Sequence, residues 1–379
     1  MKILHLYFSV VLIFSYLVML WTGMLSKSYS RVAAWRGSTP LDRGIPAARR
    51  DPRAPAGSAN TEVATRGVGL TTPAGEGLAV TAVARWAWEK FPGHLWRGLQ
   101  LPVMTAWPAG RLGNLMSEYA TLYALGKVYG VTVRLHPLMD AALRHIFPHL
   151  SMPLIPGNFS DKEWKQLGSL GLSNKADMDA AAAGLMGPHL FVLRGTPHES
   201  QLFNAYRRDI QRELTFSDTI TTKAQAFLAV VARNTTFPST PTFVGFHIRR
   251  TDYYFMIKQM WGGHVPSERY YRRAMDHFRR NYNYVIFVVA SDEPKHVTET
   301  LGGDPDVFLA PGHSAEEDLG ILAACNHSIM TVGTFGFWGS YLAGGEVLFP
   351  NTTYSVLYKV GPKWFRHSKL DFFRPVSDD

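Results

Sequence analysis

An α/β protein built on parallel sheets is the fold class this sequence predicts, and three observations predict it. From Thr242 onward, short apolar runs alternate with longer segments of helical period. The runs are apolar throughout rather than at every second residue, as in Tyr284-Val-Ile-Phe-Val-Val-Ala290. A strand covered on both faces reads this way. Several runs also end in polar or glycine-rich tails, and the carboxyl ends of parallel strands are where such sheets gather a ligand.

The elements follow in order. Pro102-Val-Met-Thr-Ala106 reads as a strand, closed by the turn Pro108-Ala-Gly110. Between Asn114 and Tyr129, the residues Leu115, Met116, Tyr119, Leu122, Tyr123 and Leu125 fall at helical spacing. Val131–Leu135 reads as the next strand, so the opening is β-α-β. From about 140 to 240 only a polar helix at Asn204–Leu214 is expected, and no topology follows. Beyond it the pattern predicts strands over 242–248, 284–290, 307–310, 328–332 and 346–349. Helices are expected over 267–281, 293–301, 316–325 and 337–343.

Composition and charge bound the function. The chain has 379 residues, 46% hydrophobic and 18% charged, as in a folded protein. Its net charge is +9, but Lys2 and Lys27 are the only charged residues of the first thirty, and residues 31–100 hold ten Lys/Arg against five Asp/Glu. That leaves +2 of the +9 for residues 101–379, which excludes a broad basic face for nucleic acid. Ile3 to Leu25 carries no Asp, Glu, Lys or Arg. A helix of that length crosses a hydrocarbon core of about 30 Å. The rival reading is a cleaved signal peptide with a Ser28-x-Ser30 site, for which the apolar stretch is longer than the usual roughly 7–15 residues. Ser38 to Gly77 is rich in Pro, Gly, Ala, Ser, Thr and Arg and has no period, so it reads as a flexible spacer. The expected layout is a short tail (1–6), a transmembrane signal-anchor (7–25), a stem (26–100), and two subdomains at 101–240 and 241–379. Cys325 is the only cysteine, so no intramolecular disulfide forms. Sequons begin at Asn158, Asn234, Asn326 and Asn351, with Asn326, in an apolar neighbourhood, the least favoured.

The chemistry collects at the strand ends. His247-Ile-Arg249-Arg250-Thr-Asp252 follows one apolar run, Ser291-Asp292-Glu293 the next, and Gly333-Thr334-Phe335-Gly336 a third. The first β-α-β unit adds Gly110-Arg111-Leu-Gly113-Asn114. Two guanidinium groups at the end of a buried strand need a counter-charge. Guanidinium forks, backbone N–H groups beside glycine and helix N-termini all bind phosphate oxygens. Two such faces on two β/α units suggest a diphosphate-containing ligand in a cleft. Taken singly, each motif also reads as an ion-pair cluster, a helix cap or a packing glycine. Asp304-Pro-Asp306 and Asp177-Met-Asp179 match a D-x-D metal pattern, but two carboxylates without further ligands make a poor site.

Three separated segments, GRLGNLMSEYATLYALGKVYG (110–130), FVGFHIRRTDYY (243–254) and CNHSIMTVGTFGFWGSYLAGG (325–345), together resemble the galactoside α-1,2-fucosyltransferases. The similarity runs through roughly 101–350, with the motifs in the family's order. The resemblance implies a GT-B-like fold, two Rossmann-like β/α domains facing a cleft, on a type II Golgi membrane protein that needs no metal. It implies transfer of L-fucose from GDP-β-L-fucose, with inversion, to the 2-hydroxyl of a terminal β-galactose on glycoproteins or glycolipids. By the same resemblance Arg249 contacts the donor diphosphate, Arg250 and Asp252 order that motif, and His247 sits beside the donor. Arg111, Gly113 and Asn114 approach from the other domain, while Asp292, Thr334 and Phe335 line the guanosine or phosphate side. Asp252 and Glu118 both stand open as the general base. Two positions depart from the family pattern: Leu115 replaces the usual Gln, and Thr251 the usual Gly. Leu115 opens a second reading, a Golgi-anchored GDP-sugar-binding homologue that is weakly active or inactive.

Overall fold

A computed structural model of the chain describes residues 91–169, 174–355 and 358–378. All lie within one compact unit, Thr71–Asp379. The expected tail, membrane span and most of the stem fall outside the described residues. Among those described, no helix is long and apolar enough to cross a membrane.

A small antiparallel hairpin, β1 (Leu95–Trp96) and β2 (Leu99–Gln100), precedes two parallel sheets. The first contains β3 (Val103–Ala106), β4 (Thr132–Val133), β5 (Lys165–Leu167) and β6 (Leu190–Leu193), in the order β4-β3-β6-β5. The second contains β7 (Thr242–Ile248), β8 (Val285–Ser291), β9 (Val307–Leu309), β10 (His327–Met330), β11 (Val347–Pro350) and β12 (Phe373–Val376). Its order is β12-β11-β10-β7-β8-β9, every pair parallel. Chain order reverses between β7 and β10, which makes the carboxyl ends of those two strands the topological switch point.

Alternation along β7 and β8 explains why both faces are covered. Val244, Phe246, Ile248, Val285, Phe287 and Val289 pack against Tyr270, Tyr271, Ala274, Met275 and Phe278 of the Glu268–Asn281 helix. The intervening Ile286 and Val288 face Ala224, Leu228 and Val231 of the Asp218–Arg233 helix, with Ile321 and Cys325 beside them. Successive strand side chains point to opposite faces, so a continuous apolar run serves two helix layers. The Asp218–Arg233 helix was not expected from the sequence. It stands ahead of β7 in the chain yet packs on the β7 sheet, so chain order and packing part company before residue 240. The Pro362–His367 helix and β12 likewise extend the second sheet beyond the last expected strand.

One apolar core joins the two sheets. It takes Met104, Met116, Tyr119 and Phe191 from the first and Phe337, Trp338, Phe349 and Phe373 from the second. The Leu112–Tyr129 helix runs through it, burying Met116–Leu122 without a gap. It ends at Gly130, whose φ of 65° accepts the left-handed turn.

Candidate functional site

The site begins where β7 runs out. Arg249 and Arg250 follow Ile248, and the side chain of each is only 14% exposed. Arg249 Nη1 lies 2.9 Å from Asp292 Oδ2, and its Nη2 donates to Asp252 Oδ1. Its backbone N–H donates to Thr331 Oγ1 at 2.9 Å, tying β7 to the loop after β10 across the switch point. Arg250 turns the other way, with Nε 2.9 Å from Glu293 Oε2 and Nη2 3.1 Å from the Tyr254 hydroxyl. Asp292 also accepts from the Arg250 backbone N–H at 3.0 Å and from the Thr251 hydroxyl. The counter-charges required for two guanidiniums at a strand end are therefore Asp252, Asp292 and Glu293.

The first β/α unit meets this cluster from the opposite side. Arg111, 74% exposed at its side chain, places Nη2 3.6 Å from Asp252 Oδ2. Thr334 Oγ1 donates to Asn114 Oδ1 at 2.8 Å. Gly113 is pressed against the start of the Thr334–Ala343 helix: a Cβ there would stand 2.7 Å from Phe335 N and 2.8 Å from Thr334 C. Gly333, with φ 91°, donates its N–H to the Tyr358 hydroxyl at 2.7 Å. The N-termini of two helices thus converge on one point.

His247 lies beneath. It is buried, its ring centroid 5.1 Å from that of Phe335. Burial, helped by Arg249 and opposed by Asp292, lowers its pKa to about 4, so the ring is neutral near pH 7. Its Nδ1 has no hydrogen-bond partner among the described residues. All ten candidate residues, His247, Arg249, Arg250, Asp252, Asp292, Arg111, Gly113, Asn114, Thr334 and Phe335, are thus linked by contacts into one cluster.

Other expected residues do different work. Glu118 is fully buried and accepts the Ala109 N–H with both oxygens, at 3.2 and 3.3 Å, so it fixes the turn that presents Arg111. Burial raises its pKa well above the usual carboxylate range, opposed by that hydrogen bond. Leu115 packs against the shared core. Asp304 and Asp306 are bound by Arg272 and Arg279, with Arg279 Nη2 2.7 Å from Asp306 Oδ1. Asp179 pairs with Lys175, and Asp177 accepts from Asn174. All four sequon asparagines, Asn158, Asn234, Asn326 and Asn351, are exposed, so the apolar sequence neighbourhood of Asn326 does not bury it. Asn326 commits its Oδ1 to the Phe243 N–H at 2.8 Å. Thr331 and Glu293 escaped the candidate set, although both stand in the strand-end segments. Nothing in their residue type separates a hydrogen-bonding anchor from a loop residue.

Fold and site define an α/β protein with a cationic fork at a topological switch point, an arrangement suited to an anionic ligand. The chain belongs to glycosyl transferase family 11, whose family model matches residues 75–355. It is 38% identical over 251 residues to galactoside alpha-(1,2)-fucosyltransferase 1 of Homo sapiens, covering 65% of this chain and 67% of that one. The same protein of Gorilla gorilla gorilla is 36% identical over 251 residues, covering 65% and 66%. The chain thus spans just under two thirds of the gorilla relative's length. A solved structure of POFUT1 in complex with GDP matches 65% of this chain and 97% of that one at 13% identity and a TM-score of 0.44, a likeness too slight to bear on function.

Proposed function

We propose that this chain is a galactoside α-1,2-fucosyltransferase that moves L-fucose from GDP-β-L-fucose to the 2-hydroxyl of a terminal β-galactose, with inversion, on a GT-B-like fold. The observation that carries this reading is the Arg249 fork between Asp252 and Asp292, at the switch point of a family 11 chain. On this reading the diphosphate exchanges with Asp252 at Arg249 Nη2. Asp252 is the partner more easily displaced, being 49% exposed against 17% for Asp292. The galactose 2-oxygen then bonds to the fucose anomeric carbon while the bond to the diphosphate oxygen breaks. The electron pair leaves with GDP against the guanidinium, and the hydroxyl proton passes to the freed Asp252. A preorganised cation meets the developing phosphate charge, so the transition state gains more than the ground state. We assign the phosphate neutralisation to arginine and include no metal ion. The 7–25 span would anchor the chain in the Golgi membrane, single-pass and type II, with Asn158, Asn234 and Asn351 exposed to the lumen.

Residues 71–379, secreted and supplied with radiolabelled GDP-fucose, phenyl β-galactoside and EDTA, test the reading. Labelled product is expected, falling by about 10²–10³ in rate with Arg249→Ala. A folded protein that binds GDP but labels no galactoside would instead support the inactive homologue suggested by Leu115.

A further inference from the structure

A second concave site lies beside the first and has no part in the diphosphate cluster. It is an open pocket of about 420 Å³ at the carboxyl ends of β3 and β4, lined by Trp107, His136, Pro137, Leu138, Asn158 and Phe159 among others. Three of its walls are rings in mutual contact: the centroids of Trp107 and His136 are 5.2 Å apart, those of His136 and Phe159 4.5 Å. Arg194 lies 4.2 Å from the Trp107 ring centroid and is itself held by Asp161 through Nη2, at 2.6 and 2.7 Å. The indole is thereby fixed, and Asp161 offsets the Arg194 charge beside it, while Arg97, which donates to the Asn158 carbonyl at 3.0 Å on the pocket's rim, lies 3.7 Å from Glu163. His136 is 3% exposed and accepts the Leu138 N–H on Nδ1 at 3.1 Å, so the proton of its neutral ring sits on Nε2. That Nε2 has no hydrogen-bond partner among the described residues. Leu138, by contrast, is 50% exposed at the rim.

We propose that this pocket is a carbohydrate subsite, taking a sugar of the acceptor glycan that lies inward of its terminal galactose. The inference rests on the galactoside reading above. A neutral, aromatic-walled concavity with few polar groups suits a pyranose ring, whose C–H face meets the negative face of an aromatic ring. The location fits the order of the chain. Trp107 and Arg111 are four residues apart, so the pocket wall and the diphosphate edge are separated by no more than about 15 Å of backbone. Arg111 reaches Asp252, so the galactose would occupy the near end of that span and the next sugars the far end. A nucleotide base is the poorer occupant, because the cations that would hold its diphosphate are gathered around Arg249. The pocket would then set which acceptor chain type is preferred.

The test uses the full chain purified in detergent and compares kcat/KM for a β-galactose-terminated tetrasaccharide with that for methyl β-galactoside. Leu138→Trp fills the pocket from its exposed rim and leaves the buried packing untouched. The expected result is a fall of about tenfold in the long-to-short ratio with GDP affinity unchanged. The same ratio, read as dissociation constants by saturation-transfer NMR with GDP present, gives the answer even if turnover is absent. An unchanged ratio overturns the subsite. Weaker GDP binding in Leu138→Trp overturns it in favour of the base. Asn158 is itself a sequon on the rim, so Asn158→Gln forms the remaining arm. A higher ratio in Asn158→Gln, with Leu138→Trp silent, would give the pocket to the chain's own glycan and overturn the proposal. Loss of galactoside transfer altogether, with tetrasaccharide binding still reduced by Leu138→Trp, separates failure of the catalytic reading from failure of this one.

Discussion

Arg249 spreads its two terminal nitrogens between Asp252 and Asp292. Lysine places one ammonium where this geometry asks for a planar fork. Arg249→Lys is therefore expected to lose about as much turnover as Arg249→Ala, about 10²–10³; a lysine variant within threefold of the unsubstituted rate contradicts the fork. His198 gives a different single-residue test. It is buried, with Nδ1 2.9 Å from Ser117 Oγ, and burial with nearby Lys359 lowers its pKa to about 3. An unfolded histidine titrates near 6.5. Between these values the unfolded chain binds the proton and the folded chain does not, so stability falls as pH drops below 6.5. From 6.5 to 5 this one residue contributes a loss of about 2 kcal/mol. His198→Asn keeps a polar group toward Ser117 without titrating, and the pH 7 to pH 5 decline in urea-unfolding free energy should shrink by about that amount. An unchanged decline would place the titration elsewhere. The arginine behaviour was legible in the sequence, because the setting of Arg249 after an apolar run is local, whereas His198 looks like any loop histidine.

At the scale of elements, the contact between the Leu112–Tyr129 and Thr334–Ala343 helices holds the site closed on itself. Trp338 Nε1 donates to Ser117 Oγ at 2.9 Å, and Ser117 donates to the Gly113 carbonyl at 2.8 Å. Gly113 allows the approach, since backbone atoms of Thr334 and Phe335 occupy the place of a Cβ. Gly113→Ala should destabilise by about 1–3 kcal/mol, as overpacking does. Donor affinity should drop with it, because Asn114 and Thr334 are forced apart. Denaturant unfolding and GDP titration of the variant read both effects, and normal values in both would remove this glycine from the architecture. The segment 110–130 announced a turn and a helix with a glycine at its head. That the glycine faces another helix, some 220 residues on, no spacing could say.

Within the unit Thr71–Asp379, the described residues of both sheets pack around one ring cluster. Phe337 lies 4.7 Å from His198, 5.3 Å from Trp338 and 5.7 Å from Phe373 between ring centroids, so segments before β7 and after β11 meet there. Burying such a core requires both sheets, and residues 101–240 expressed alone are expected to remain unfolded. Residues 71–379 should lose near-UV and far-UV circular dichroism in one coincident urea transition; two separated transitions would show the sheets to be independent. Local pattern alone gave the parallel α/β class, the strands and four of the helices between Thr242 and Phe349, and the segments that assemble at the switch point, but not the Thr251–Met256 helix that follows the arginines. These follow from periodicity and from charge placed after apolar runs, which are properties of neighbouring residues. Only the tertiary structure decided that the Asp218–Arg233 helix serves the second sheet, that Glu118 braces a turn, and that Trp107, His136 and Phe159 enclose a pocket. Those depend on which distant surfaces meet, and burial of one face against another leaves no mark in either segment alone.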